Sequence, residues 1–298
     1  EYVEIEWRSS QRDQGKFEFL GGKQEFVKLG AFDDIDISMM THARGNFEGF
    51  GYGGTGNGLI AKFIEFHGKS SHAGGDPHLG INALNAANLA LMGIHANRET
   101  FIDEDHIRVH PIITKGGFVV NQVPEIVTME TFVRGASIEA IQKSNLKVDN
   151  ALRAGAMAVG AEVKITTLPG YFPLFHDKNL TDLYVSNLNN SNHKNEEIPH
   201  GGGSTDMGDL AHIMPVIHPY VGGATEASAH TAGFLVKDYE LSVIEAGKMM
   251  AHTVIDLLID DAKEAKKITN EHKPIYSTEE YLKQMRSFSN LEVSNYNI

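Results

Sequence analysis

The chain contains no cysteine. That excludes disulfides, a thiolate metal site and a cysteine nucleophile. No apolar run reaches the ~18 residues that a membrane span needs. The opening residues, Glu1-Tyr2-Val3-Glu4-Ile5-Glu6-Trp7, have no basic stretch followed by an apolar one, so they do not read as a signal peptide. Positive charge is scarce, with 26 Lys and Arg against 39 Asp and Glu and a formal net charge of −13. Such a surface repels phosphate backbones, so neither nucleic acid nor membrane is expected as a partner. A local arginine can still override that field for a small anionic substrate. These absences together make a soluble, cytoplasmic protein the expectation.

What remains is ample for folding. The 298 residues allow one large or two medium domains, and a hydrophobic fraction of 41% supports a proper core. Histidine is abundant, at 15 residues. It is the commonest metal ligand and a general acid or base at neutral pH. Most of these side chains must be surface or packing residues; His193, in a polar loop, and His272, in the charged tail, are the plainest cases.

Periodicity organises the middle of the chain. Ala61-Lys62-Phe63-Ile64-Glu65-Phe66 alternates as a strand. From about Leu79, Leu84, Ala87, Leu91 and Ile94 fall on one helical face. Ile107, Val109, Pro111 and Ile113 alternate again, Gly116-Gly117 marks a turn, and Val119-Val120 begins the return. Ile126 to Val133 reads as a strand, Ser137 caps a helix running through Val159, and Val163-Lys164-Ile165 reads as another strand. The order strand, helix, strand, strand, helix, strand is the split βαβ, ferredoxin-like unit. The flanks read as a second α/β unit split by this insertion. There Lys16 to Leu20 and Ile35 to Met40 alternate as strands. Ser186 to Glu197 reads as an exposed loop, and Ile244, Ala251, Val254, Ile255 and Leu258 mark a helix. Ser277-Thr278-Glu279-Glu280 matches a capping box before a short terminal helix.

Several motifs lead nowhere. Gly51-Tyr52-Gly53-Gly54-Thr55-Gly56 fits a dinucleotide pattern, but a strand follows it instead of a helix, so it reads as a hinge. No H-E-x-x-H pair and no G-x-S-x-G elbow occurs. Four segments keep chemical interest. Ser71-His72-Ala73-Gly74 places a histidine among small residues, either in a binding loop or in a plain surface turn. His42 ends an apolar strand, a usual place for a functional side chain in an α/β sheet. Gly201-Gly202-Gly203-Ser204-Thr205-Asp206 can pass its backbone close to a ligand or serve as a flexible loop. His230 stands in Ser228-Ala229-His230-Thr231-Ala232-Gly233-Phe234. By spacing alone, His42 and His230 fit metal ligands or satisfied core residues equally.

These residues resemble the M20 metallopeptidases and amidohydrolases, and within them the aminobenzoyl-glutamate hydrolase and aminoacylase-like branch. The resemblance rests on Gly30-Ala31-Phe32-Asp33-Asp34-Ile35-Asp36 with His42, on Ser71-His72-Ala73-Gly74, on Asn121-Gln122-Val123-Pro124, on Gly203-Ser204-Thr205-Asp206 and on His230-Thr231 with Phe234. It implies an α/β fold: a partial zinc-peptidase-like catalytic domain of three layers over residues 1–57 and 172–298, and a ferredoxin-like lid or dimerisation domain over 58–171. It also implies metal-dependent hydrolysis of an amide adjacent to a free carboxylate, in an N-acyl amino acid, an aminobenzoyl-glutamate-like compound or a dipeptide. One or two zinc or manganese ions would lower the pKa of a bound water and polarise the carbonyl. His42 and His230 match metal ligands, with Asp206 a candidate to orient an imidazole. His72 matches the lid histidine that stabilises the oxyanion, reaching into a partner subunit's site in dimeric members. Asn121, Arg134 and Gly203 match substrate-holding positions. Arg134 would pair with the substrate carboxylate, and its alternative is a strand-end surface charge. A homodimer through the lid is implied.

Two family features have no counterpart in this sequence. No segment carries the upstream ligand pair. Where a Glu-Glu dipeptide should supply the base and a ligand, the strand-like Lys16 to Leu20 runs directly into Gly21-Gly22-Lys23, with only Glu18 near the ligand position. The expectation is therefore an M20 chain lacking N-terminal catalytic segments, and the alternative function is a non-catalytic dimerisation or binding module.

Overall fold

The computed structural model describes residues 5–296, in two compact units. One comprises Asn57–Pro173, Gly202–Ser204 and Leu282–Ile298; the flanking unit comprises the residues up to Gly56, Leu174–Gly201 and Thr205–Tyr281. The fold is mixed α/β.

The inserted unit is built on β1 (Gly58–His67), α1 (Ala83–Ala96), β2 (Arg108–Val109), β3 (Ile112–Lys115), β4 (Ile126–Gly135), α2 (Ile138–Val159), β5 (Glu162–Pro169) and β6 (Asn290–Asn295). The sheet runs β6-β5-β1-β4-β2, with β3 also on β4, and every pairing is antiparallel. This is the ferredoxin-like order expected from periodicity, with β6 as an extra edge strand. Residues along β4 alternate strictly between half-buried and buried. Val127, Met129 and Val133 face a core shared with Ala83, Ala86, Ala87 and Ala90 of α1 and Ile141, Val148 and Leu152 of α2. Small residues let the two helices meet backbone to backbone. A Cβ on Gly155 would lie 2.5 Å from the carbonyl oxygen of Ala86. Lys62 is buried in the same unit, and its Nζ donates to Asp149 Oδ1 at 2.6 Å and Thr167 Oγ1 at 2.7 Å. Burial holds its pKa below the ordinary lysine value despite that partner.

Local chemistry sets the helix ends. Ser137 caps α2 as expected, accepting from the Ala140 amide at 3.1 Å, and Gly160 closes it in the left-handed region at φ 71°. The first helix starts later than expected. Pro77–Leu79 forms a single 3-10 turn, and α1 begins at Ala83, where Asn82 Oδ1 accepts from the Leu84 and Asn85 amides. The strand expected across Ile107 to Ile113 breaks at His110-Pro111, where proline has no N–H to donate to the ladder. Val119-Val120 is not a returning strand. It belongs to a loop tip where Phe118 is 72% and Val120 98% exposed.

The flanking unit holds only short strands. Ser38–Met39 pairs in parallel with Val216–Ile217. A second sheet runs His42–Ala43, Tyr220–Val221, Phe50–Tyr52, Asn195–Glu197. Phe50, Leu180, Tyr184, Leu188, Ile217, Val221 and Met249 form its core. Three expectations fail here. Lys16 to Leu20 is not a strand; the Glu18 and Phe19 amides are taken by the Glu25 carboxylate, both at 3.0 Å. Ser186 to Glu197 is not one loop, because it ends helix Lys178–Asn189 and then supplies strand Asn195–Glu197. The helical segment Ala246–Glu271 is present, broken by non-helical backbone at Ile259, Asp260, Asp261 and Ala262, but Val254, Ile255 and Leu258 are exposed, and burial falls on Ala246, Met249, Thr253 and Leu257. The capping box is present: the Ser277 amide donates to Glu280 Oε2 at 2.8 Å and the Glu280 amide to Ser277 Oγ at 3.3 Å.

Candidate active site

The His72 loop leaves β1 and is fastened to the segment before β4. The Ala73 amide donates to the Asn121 carbonyl at 2.9 Å and the Val123 amide to the Ser71 carbonyl at 3.0 Å. Gln122 Nε2 donates to Ser70 Oγ at 2.5 Å. His72 and Asn121 are thereby brought together on one exposed edge, although they are about fifty positions apart in sequence. The Gly74 and Gly75 amides donate to His72 Nδ1 at 3.2 and 2.8 Å. An Nδ1 that accepts two hydrogen bonds carries no proton, so the neutral ring is protonated on Nε2 and presents that N–H outward. The glycines and small residues around His72 thus fix its tautomer.

Arg134 lies near the end of β4. Its Nη1 donates to Ser204 Oγ at 2.8 Å, and its guanidinium sits 5.2 Å from the Phe132 ring centroid. Ser204 follows directly on Gly203. A Cβ on Gly202 or Gly203 would meet nothing within 4 Å, so open space adjoins this backbone.

In the flanking unit, His42 Nδ1 lies 2.7 Å from the Ala43 carbonyl oxygen, which can only accept. Nδ1 therefore carries a proton, and in the neutral form of the ring Nε2 is the nitrogen left with a lone pair, as a metal ligand requires. Beside it, the His218 ring is 6.1 Å away between centroids and the Tyr220 ring 6.0 Å. His218 is buried with both ring nitrogens unpartnered, and His176 has an unpartnered buried Nδ1. Burial pushes the His218 pKa down to about 3 and that of His176 to about 4, so both rings are neutral at physiological pH. His230 is exposed in a loop, with a left-handed backbone at φ 65°. Among the described residues no hydrogen bond or ring contact joins His42 to His230, and no group of three or more His, Asp or Glu is placed to hold a metal ion. His42 fits the donor chemistry of a divalent metal; the pair makes only part of a donor set.

Asp206 does not orient an imidazole as expected. Its buried carboxylate takes the Lys23 ammonium at 2.7 Å and the Lys23 amide at 3.3 Å. Glu18 faces Lys28 at 3.6 Å. Motif reading passed over His176 and His218, since neither stands in a recognisable pattern and their lack of partners is purely spatial.

Comparison with known proteins finds similarity to peptidases and amidohydrolases. The model of the peptidase dimerisation domain of M20 enzymes matches residues 57–157. The Xaa-Arg dipeptidase of Mus musculus is 29% identical over 251 residues, covering 81% of this chain and 57% of that protein. One of the polypeptides of the p-aminobenzoyl-glutamate hydrolase of Escherichia coli K12 is 35% identical over 96 residues, covering 32% of this chain and 19% of that polypeptide. The Bacillus subtilis YXEP protein, described as a dinuclear metal-binding peptidase of the M20 family, superposes with a TM-score of 0.62 at 16% identity, covering 81% of this chain and 63% of that one. The chain spans little more than half the length of the dipeptidase it matches.

Proposed function

We propose, from the similarity of this chain to M20 peptidases and amidohydrolases, that it belongs to a metal-dependent hydrolase cleaving an amide adjacent to a free carboxylate. The related proteins act on a dipeptide and on p-aminobenzoyl-glutamate by their names, and both substrates carry such a carboxylate. The observation that carries the reading is the state of His72. Its Nδ1 is held by two glycine amides, which leaves Nε2–H as a preorganised donor for a developing oxyanion. Asn121, zipped to the same loop, and Gly203, beside open space, would contact the substrate. Arg134 would bind its carboxylate, because a planar guanidinium matches two carboxylate oxygens. His42 and His230 would supply two donors to a zinc or manganese ion. When bound, such an ion activates water and polarises the amide carbonyl.

The lid domain would join two copies into a homodimer. The test is hydrolysis by the protein supplied with zinc or manganese. N-acyl amino acids and dipeptides should be cleaved, and the same compounds with the carboxylate converted to an amide should not. Absence of cleavage, or cleavage indifferent to the carboxylate, overturns the reading. A second reading is a non-catalytic dimerisation or binding module. It is favoured by the lack of a three-donor group among the described residues. Stoichiometric metal together with turnover would eliminate it.

A further inference from the structure

Among the described residues of the flanking unit, one imidazole ring has both nitrogens idle. His218 is 1% exposed, and neither of its buried ring nitrogens has a hydrogen-bond partner. A neutral imidazole carries one N–H and one lone pair, so a donor and an acceptor are left unmet together. Buried polar groups normally find partners, and an unpaired one calls for an explanation. Nothing in the sequence marks this residue. It stands in Ile217-His218-Pro219, outside every segment that carries the family resemblance.

The backbone aims the ring at His42. Ser38–Met39 pairs in parallel with Val216–Ile217, and His42–Ala43 with Tyr220–Val221. Between those pairs the Met40 amide donates to the Ile217 carbonyl and the His42 amide to the Pro219 carbonyl, both at 3.1 Å. His42 therefore lies opposite Tyr220, and His218, two positions earlier, falls on the same face. The ring contacts agree. The His218 centroid lies 5.2 Å from that of Tyr220 and 6.1 Å from that of His42. His176 holds the segment from behind, its Nε2 accepting from the His218 amide at 3.2 Å. That spends the lone pair of the neutral His176 ring, so His176 has none to offer a cation. His42 keeps Nε2 available, because its Nδ1 is taken by the Ala43 carbonyl. The Lys23 ammonium, whose charge reaches His218, is neutralised by Asp206 at 2.7 Å. A tetrahedral ion bound through one nitrogen of each of two imidazoles sets their centroids about 5 Å apart. The 6.1 Å between His42 and His218 is slightly wider, and a small rotation of the exposed His42 side chain closes it.

We propose that His218 binds a zinc-like divalent ion directly, beside His42, through a ring nitrogen that the fold leaves unpartnered. The inference rests on the metal-dependent hydrolase reading and deepens it by adding a donor that no motif carries. Among the described residues no third His, Asp or Glu stands with the pair, so positions on the ion stay open to water.

Cobalt(II) absorption on the full chain tests this, with cobalt standing in for zinc. The unaltered chain should show the visible bands of a nitrogen-ligated, low-coordinate cobalt ion, and zinc should displace it. His218→Gln should weaken cobalt binding by more than about a hundredfold, beyond the roughly 10–100-fold that losing a partner which only orients a ligand costs. His218→Cys is the sharper variant, because the chain holds no other cysteine. It should keep the ion and add a thiolate-to-cobalt charge-transfer band in the near ultraviolet. Melting curves establish that each variant is folded. Cobalt bound by His218→Cys without that band, or a smaller loss in His218→Gln, overturns the inference and leaves the hydrolase reading intact. Absence of cobalt binding by the unaltered chain overturns it together with the metal site at His42. Absent turnover despite a His218-dependent cobalt spectrum fails the hydrolase reading alone.

Discussion

The two units of this chain carry opposite kinds of completeness. In the lid, the two central pairings run eight and ten residue pairs deep, and one continuous core joins sheet to helices. Among the described residues of the flanking unit no strand exceeds three residues, Val254, Ile255 and Leu258 project from a helix into solvent, and His218 leaves two buried nitrogens unpartnered. Buried polar atoms normally find a hydrogen bond, and each orphan costs about 1–3 kcal/mol. The candidate side chains follow the same division. His72 and Asn121 are locked together and His72 is fixed in one tautomer, whereas His42 and His230 share no contact among the described residues. Organisation of the candidate site tracks organisation of the unit that carries it.

The contrast can be broken most forcefully inside the lid. Asp149→Ala would leave the Lys62 ammonium buried without its counter-ion, and removing one partner of such a pair typically costs about 3–5 kcal/mol. The single tryptophan, Trp7, lies in the flanking unit, so its fluorescence reports there, while far-UV circular dichroism sees the whole chain. The variant should shift the dichroism transition more than the fluorescence transition. Equal shifts would mean that the two units unfold as one.

Acid should act on the flanking unit. His212 is buried there, its Nδ1 lies 2.7 Å from the Gly208 carbonyl, and burial pushes its pKa down to about 4. A histidine with a depressed folded pKa takes up protons more readily when unfolded. Its contribution is therefore intact above the unfolded pKa near 6.5 and is lost as pH falls toward 4, up to about 3 kcal/mol in all. Denaturation monitored at Trp7 across that window should show the loss, and His212→Gln should remove its share while leaving those of His176 and His218, whose pKa values burial also depresses. A smaller change sharpens the account of the lid. Ser137→Ala removes the α2 cap and should cost about 1 kcal/mol in chemical denaturation, and Ser137→Asp should recover most of it.

Legibility in the sequence divides along the same line. The lid could be read because its signals are local. Alternation in 61–66 and 126–133, the Ser137 cap and the spacing of Leu84, Ala87 and Ile94 each act within a few residues. Its three errors, the late start of α1, the break at His110-Pro111 and the unpaired Val119-Val120, fall where Asn82 capping, a proline without an N–H and a loop tip override periodicity. The flanking unit was harder, because period-2 patterns such as Lys16 to Leu20 become strands only when a neighbouring strand accepts their amides. Here the Glu25 carboxylate takes them. The same applies to the site. His72, Asn121 and Arg134 were legible as motif positions, but the tautomer of His72 depends on two amides whose direction no spacing encodes. His218 becomes meaningful only through the strand register that sets it beside His42, and Asp206 is claimed by Lys23, 183 positions away.

The central claim is that the lid delivers a protonated Nε2 of His72 to the oxyanion formed during amide hydrolysis. Turnover by the metal-supplied protein and its His72→Ala variant, on one carboxylate-bearing amide, tests it most directly. Loss of such a donor should lower kcat about 10²–10³-fold and leave KM little changed. An unchanged kcat, or a loss confined to KM, would contradict the account.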